Sequence, residues 1–471
     1  MKIIGSNVLL VMICLLISIG FYSCANIIPP GGGPRDTLAP RLVTAFPKDS
    51  ALNVTSQNII LSFDEYIQLQ NTNENLIISP TPKNMPLVDY KLHNVTIKLK
   101  DSLEKNTTYS FNFGKAIKDV NEGNVAKELT YVFSTGKTID SYEYNGSVFL
   151  AETGKPDSTL IVVLHNNLTD SSIQKNKPRY YAKITGKGNF SFKFLPEGKF
   201  SVYVVPNDFT KRYDDSTKIF AFLNEPILIN GNARTDTLYA FQEFKKKEPK
   251  ATSSSNNTNN NKPKAAPEDK RLKYSANLES GGQQDLLSPL ELEFARPLKS
   301  WDSSKIVLLD TLYKPIIGYK LSIDTSNKKI SLLYPWKEKQ EFRLIVSKDA
   351  VIDTMGIKLT KSDTAKIFTK RDAEYGSCRL RFTNVDLSIH PVLQLIVDGK
   401  IFESIPITSK ELIRKRFKPG EYECHILFDS NQNGKWDPGS FRDKKQPEKV
   451  KALTKKLVVR PDRDTDQSFI F

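Results

Sequence analysis

Ile59-Ile-Leu-Ser-Phe63, Val95-Thr-Ile-Lys-Leu99 and Tyr109-Ser-Phe-Asn-Phe113 set apolar side chains at every second position. Successive side chains of a strand leave opposite faces, so a period of two marks strands with one buried face. Leu76-Ile-Ile-Ser79 and Tyr131-Val-Phe-Ser-Thr-Gly136 complete the set, with turn residues between. Short alternating strands over about 100 residues make a β-sandwich. The second half of the chain repeats the plan: Leu290-Glu-Leu-Glu-Phe294, Lys305-Ile-Val-Leu-Leu309, Lys329-Ile-Ser-Leu-Leu333, Glu341-Phe-Arg-Leu-Ile-Val346 and Ala365-Lys-Ile-Phe-Thr369. Matching loops, Ile117–Asn124 and Val351–Gly356, precede the last strand of each set.

A second pattern follows each sandwich. Tyr144-Asn-Gly-Ser-Val-Phe-Leu150 matches Tyr375-Gly-Ser-Cys-Arg-Leu-Arg381, Phe192–Val204 matches Arg416–Ile426, and Asp236–Phe241 matches Asp466–Phe471. The order is A-B-linker-A-B, and the fold class expected is all-β, with tandem β-sandwich modules. The A modules span 38–138 and 271–371, and the B modules 139–243 and 372–471. Between the halves, residues 244–270 are dense in Lys, Ser, Asn and Pro without apolar periodicity and read as a disordered linker. A linker of that kind lets the two halves move separately.

Lys2, the apolar run Val8–Tyr22 and Cys24 behind Ser23 read as a signal peptide over 1–23 ending in a lipobox, with Phe21 where Leu is usual. The run is shorter than the roughly 20 residues of a membrane-spanning helix. Cys24 is thus the expected site of acylation, and residues 24–37, rich in Pro and Gly, form a tether. The formal charge is +15, and residues 1–23 hold one lysine and no acid, leaving +14. For an exported protein this points either to lipid headgroups, lipopolysaccharide or acidic glycans rather than nucleic acid, or to nothing more than a general richness in lysine. Cys378 and Cys424 remain, either as a disulfide between neighbouring strands or as buried thiols.

Gly31–Thr37, Ala39-Pro40, Phe63-Asp-Glu65, Ser79-Pro80, Asn106–Tyr109, Gly123-Asn124 and Phe133–Gly136 resemble the Ig-like domain-containing lipoproteins of Bacteroidetes, whose first module is a bacterial Ig-like domain also found in S-layer proteins. The B modules are similar to prealbumin-like domains, with their strand, Leu-Pro-x-Gly turn and aromatic strand. The resemblance implies an outer-membrane lipoprotein with a binding or scaffolding role and no reaction.

Candidate chemistry is sparse. Asp429-Ser-Asn-Gln-Asn-Gly-Lys-Trp-Asp437 copies nine positions of a calcium loop, with Asp429, Asn431, Asn433, the Lys435 carbonyl and Asp437 as oxygen donors. The closing Glu is replaced by Ser440, so either a weak calcium site or a plain hairpin turn is expected. The sister loop Asn207–Asp214 has lost the pattern. Asp64 and Glu65 are adjacent on a strand and point apart, which suits a turn better than proton transfer. No cofactor is required, no catalytic residue is assigned, and an enzyme is not expected. The function expected is a scaffold or accessory subunit for outer-membrane proteins. The competing expectation is a glycan-binding or adhesive surface lipoprotein. Expected partners are the membrane, through the lipid anchor, and an outer-membrane protein complex, or a glycan under the competing reading.

Overall fold

A computed structural model describes residues 35–231, 234–243 and 271–470. Cys24, the signal peptide, most of the tether and the linker lie outside the described residues. The regular structure is nearly all strand, and the two α-helical turns among the described residues, Thr72–Asn75 and Ser172–Lys175, are four residues each.

Both A modules follow one blueprint. In the first, a sheet of Leu42–Phe46, Asn58–Phe63, Asn94–Lys98 and Leu87–Lys91 faces a sheet of Ile77–Ser79, Thr108–Asn112 and Thr130–Ser134. Pairing Ile59 with Ile97 and Leu61 with Val95 turns these four residues inward and leaves Ile60, between them, on the exposed face. Against them pack Phe111, Tyr131 and Phe133, all without solvent exposure. The second A module repeats the first sheet as Tyr274–Ala276, Leu290–Phe294, Lys329–Leu333 and Lys320–Ile323. Its registers, Leu290 with Leu332 and Leu292 with Ile330, are built on the same inward alternation.

The B modules mix parallel and antiparallel pairs. Tyr142–Leu150 runs parallel to Thr235–Gln242, as Gly376–Thr383 does to Asp464–Ile470. In the first B module Ile219–Phe222 pairs with both Gly198–Pro206 and Thr235–Gln242, joining the strands into one eight-stranded sheet. Its counterpart Lys449–Ala452 pairs only with Gly420–Phe428, leaving two sheets of three and five strands.

The outer edge of that counterpart strand is covered by the other B module. Val450 N donates to the Ala151 carbonyl at 2.8 Å. Gly154, at φ +66°, packs so close that a Cβ would lie 2.5 Å from the Val450 carbonyl oxygen. Beside this contact the Phe441 ring enters an aromatic pocket of the first B module, edge-on to Phe220 at 5.0 Å and to Phe222 at 5.2 Å. Gln446 Nε2 donates to the Phe222 carbonyl at 3.1 Å and to Asn224 Oδ1 at 2.9 Å. Lys155 meets Glu423 at 3.2 Å, and Lys444 pairs with Asp170. The expectation that the halves move separately is therefore corrected. Whatever joins them between 244 and 270, the B modules share a buried aromatic contact and a backbone hydrogen bond.

Each A module is also tied to its own B module. Arg179 grips Glu104 through two hydrogen bonds of 2.7 and 2.6 Å. On the other side Tyr375, buried in the core of the second A module, accepts from Leu286 N at 2.7 Å.

A protein nicked between residues 244 and 270 is expected to elute from gel filtration as one particle, because the B–B contact holds the fragments. Phe441→Ala removes a largely buried aromatic ring, a change that costs about 3–5 kcal/mol in a core. The nicked variant should separate into two fragments at micromolar concentration. Co-elution of its fragments at that concentration refutes the assigned role of Phe441.

Candidate functional site

Strand Gly420–Phe428 ends at Asp429, and the five positions flagged in the sequence follow in one loop. Asp429 is buried, and its carboxylate accepts from Asn433 N at 3.1 Å and Gly434 N at 2.7 Å. Gly434, at φ +74°, makes the turn that a side chain would strain. Asp437 Oδ2 accepts from Asn433 Nδ2 at 2.8 Å and from Asn431 Nδ2. Asn433 Oδ1 in turn accepts from Lys435 N at 2.7 Å.

One participant was not legible in the sequence. Glu448 is buried, and its carboxylate accepts from Ser430 N at 2.9 Å and from Asp437 N at 3.0 Å, strapping both ends of the loop. Trp436 Nε1 donates to its carbonyl at 2.7 Å. No spacing rule joins Glu448 to Asp437, because the residues between them fold away as a separate hairpin closed by Ser440 and Lys445. The sister loop is organised differently. There the Lys218 ammonium sits 2.6 Å from Asp208 and 2.7 Å from Asp214, a cation supplied by the chain itself. Among the described residues no lysine or arginine forms an ion pair with Asp429 or Asp437. No group of three or more His, Cys, Asp or Glu side chains placed to hold a metal ion occurs among them either.

Asp64 and Glu65, expected on a strand, lie in the bend just past strand Asn58–Phe63. Asp64 accepts from Arg41 N at 2.8 Å and Arg41 Nε at 3.0 Å, and these bonds hold its carboxyl below the ordinary range. Burial first, and then the charges of Asp36, Asp64, Asp119 and Glu122, push Glu65 the other way. Asp119 is fully engaged in its own loop, accepting from Glu122 N and Gly123 N at 2.7 Å and Asn124 N at 2.8 Å. Its sister Asp353 accepts from Met355 N at 2.9 Å and Ile357 N at 2.7 Å. The loops matched in sequence because each is wrapped around a buried aspartate.

Cys378 and Cys424 are free thiols. The premise of neighbouring strands fails: Cys378 pairs with Arg414 and Thr465 in one sheet, Cys424 with Leu395 in the other. Facing sheets stack about 10 Å apart, wider than the usual Cα spacing of a bridge. Burial pushes both thiols up to about 11. The sister positions Val148 and Val202 are buried in the same way, so the cysteines act as small core residues. The tryptophans also pack: Trp336 is buried, and Trp301 and Trp436 lie against cores.

Residues 36–135, the first A module, match the family described as bacterial Ig-like domain. No curated protein matches the chain. Among solved structures, the Bacillus anthracis TIE protein is 11% identical, over 94% of this chain and 75% of that one, with a TM-score of 0.17. BcpA, the major pilin subunit of Bacillus cereus, is 9% identical over 70% of this chain and 99% of its own, with a TM-score of 0.16. The L,D-transpeptidase from Mycobacterium smegmatis is 11% identical over 31% of this chain and 75% of its own, with a TM-score of 0.15. At such TM-scores these likenesses carry no argument about function.

His165, on strand Leu160–His165, is buried edge-on to Tyr203 at 5.8 Å, and desolvation lowers its pKa from 6.5 to about 4. The unfolded chain therefore binds a proton below about pH 6.5 that the folded chain refuses. Stability should fall as pH drops from about 6.5 to about 4, by up to roughly 3 kcal/mol from this residue. Denaturant midpoints measured across that window should fall more steeply for the natural protein than for His165→Phe. Parallel curves remove His165 from the acid response.

Proposed function

We propose that this protein is a non-enzymatic outer-membrane lipoprotein, anchored by an acyl chain on Cys24, that serves as a scaffold or accessory subunit for other outer-membrane proteins. The observation that carries this reading is the outer sheet of the first A module. Its edge strands, Leu42–Phe46 and Leu87–Lys91, have no further strand paired to them in that sheet among the described residues. Val43, Phe46 and Leu87 on those edges are 62%, 61% and 60% exposed. Open edges with apolar side chains accept another strand or a partner surface. The module interiors are filled by their own side chains, so contacts fall on edges, loops and junctions. No helix among the described residues is long and apolar enough to cross a membrane, and the reading takes the lipid as the anchor.

The Asp429 loop fits a weak calcium site within the same reading. Its donors are hard oxygens, and among the described residues no lysine or arginine pairs with Asp429 or Asp437 as Lys218 does with Asp208 and Asp214 in the sister loop. Asp429, Asn431, Asn433, the Lys435 carbonyl and Asp437 would hold the ion, and Glu448 would orient the loop.

Two measurements test these readings. Tagged, lipidated protein extracted in mild detergent should co-purify with a membrane protein, and Cys24→Ala should move it to the soluble exported fraction. Recovery of no membrane partner even after crosslinking, with retention on a glycan array, replaces the scaffold by an adhesive surface protein. For calcium, a tenfold excess over the dissociation constant adds about 1.4 kcal/mol. Millimolar calcium should raise the melting temperature by a few degrees, and Asp429→Ala should abolish the rise. A curve indifferent to calcium leaves only the turn.

A further inference from the structure

The junction of the first A and B modules forms a cleft of about 690 Å³ that the fold itself does not explain. Thr81 N donates to the Arg179 carbonyl at 2.8 Å across it, and Lys177 Nζ to the Lys83 carbonyl at 3.1 Å. Five cationic side chains line the cleft, Lys83, Lys100, Lys177, Arg179 and Arg212, against two carboxylates. Both carboxylates are already engaged. Glu104 is held by the Arg179 fork, and Asp101 accepts from Asn84 N at 2.9 Å and Asn84 Nδ2 at 2.7 Å. Among the described residues, none of Lys83, Lys100, Lys177 and Arg212 forms an ion pair with a carboxylate.

Two polar atoms buried in the walls of the cleft, Thr81 Oγ1 from the A side and Arg212 Nε from the B side, have no hydrogen-bond partner among the described residues. Buried donors and acceptors are nearly always paired, so these two are groups that a ligand entering the cleft would satisfy after a side-chain rotation.

We infer that this cleft binds an acidic oligosaccharide, held through the carboxylate or phosphate groups on its sugars. Guanidinium and ammonium groups supply charge-assisted hydrogen bonds to such anions. The amides of Asn84, Asn166 and Asn176, also in the lining, suit sugar hydroxyls. The site stands whether or not a membrane partner is found, and its failure leaves the pull-down result untouched.

Calorimetric titration of the full chain with tetragalacturonate at about 50 mM salt tests it, since screening weakens such contacts at higher salt. Saturable binding is expected, with maltotetraose inert as the neutral control. Arg212→Gln combined with Lys83→Gln should weaken binding at least about tenfold, and Lys100→Gln alone about threefold. Lys400→Gln, on an exposed strand of the last module, should change nothing. Melting curves confirm that each variant is folded, and Lys100→Gln, at an exposed position, keeps the test open if the double variant is not. Lipopolysaccharide that competes with tetragalacturonate makes a lipid-borne sugar the source of the anion, whereas failure to compete assigns a free glycan. Absence of binding, equal binding of the neutral sugar, or equal binding by folded variants overturns the inference, as does inorganic phosphate binding as tightly as tetragalacturonate.

Discussion

The Phe441 ring, carried by the last module, stands among Tyr203, Tyr213, Phe220 and Phe222 of the first B module. The arrangement of four sandwiches hangs on that contact. A solvent-exposed ring of this size would sacrifice most of the roughly 2–3 kcal/mol that burying it contributes. The pocket exists because the loop from Asp429 to Glu448 crosses the gap between modules. The loop is strapped by Glu448 and turned by Gly434, so it presents Phe441 as a fixed knob. Lys444 strengthens the seat from above, its ammonium 4.5 Å from the Phe441 ring centre.

The two B modules share one plan and differ in what their edge strand pairs with. In the first, Phe220 pairs with Phe241 and closes one sheet. In the second, the equivalent strand spends its outward N–H on Ala151 of the first, and the sheet stays open. An edge strand left bare would invite association with another chain, and docking removes that hazard. The loops differ as well: the first B module neutralises Asp208 and Asp214 with its own lysine, while the last surrounds Asp429 and Asp437 with amides.

Charge is distributed with the same economy. Most acids are engaged in turns or in ion pairs, as Asp119, Asp353 and Glu104 illustrate. Four cationic residues that form no ion pair among the described residues, Lys83, Lys100, Lys177 and Arg212, line the cleft where the first A and B modules meet. Two buried polar atoms in its walls also have no hydrogen-bond partner among the described residues.

Local pattern was legible from the residues alone. The period of two at Ile59–Phe63 and Leu290–Phe294, the repeated loops at Ile117 and Val351, and the correspondence of Val148 and Val202 with Cys378 and Cys424 all reappear as inward faces, aspartate-centred turns and core positions. Alternation is a property of a strand by itself, because backbone geometry sends neighbouring side chains to opposite faces. Partnership is not such a property. That Cys378 and Cys424 lie on different sheets, that Glu448 straps a loop begun at Asp429, and that Phe441 belongs to an aromatic pocket in another module depend on how distant strands stack. No periodicity encodes a contact between residues far apart in the chain, so tertiary packing alone decided them.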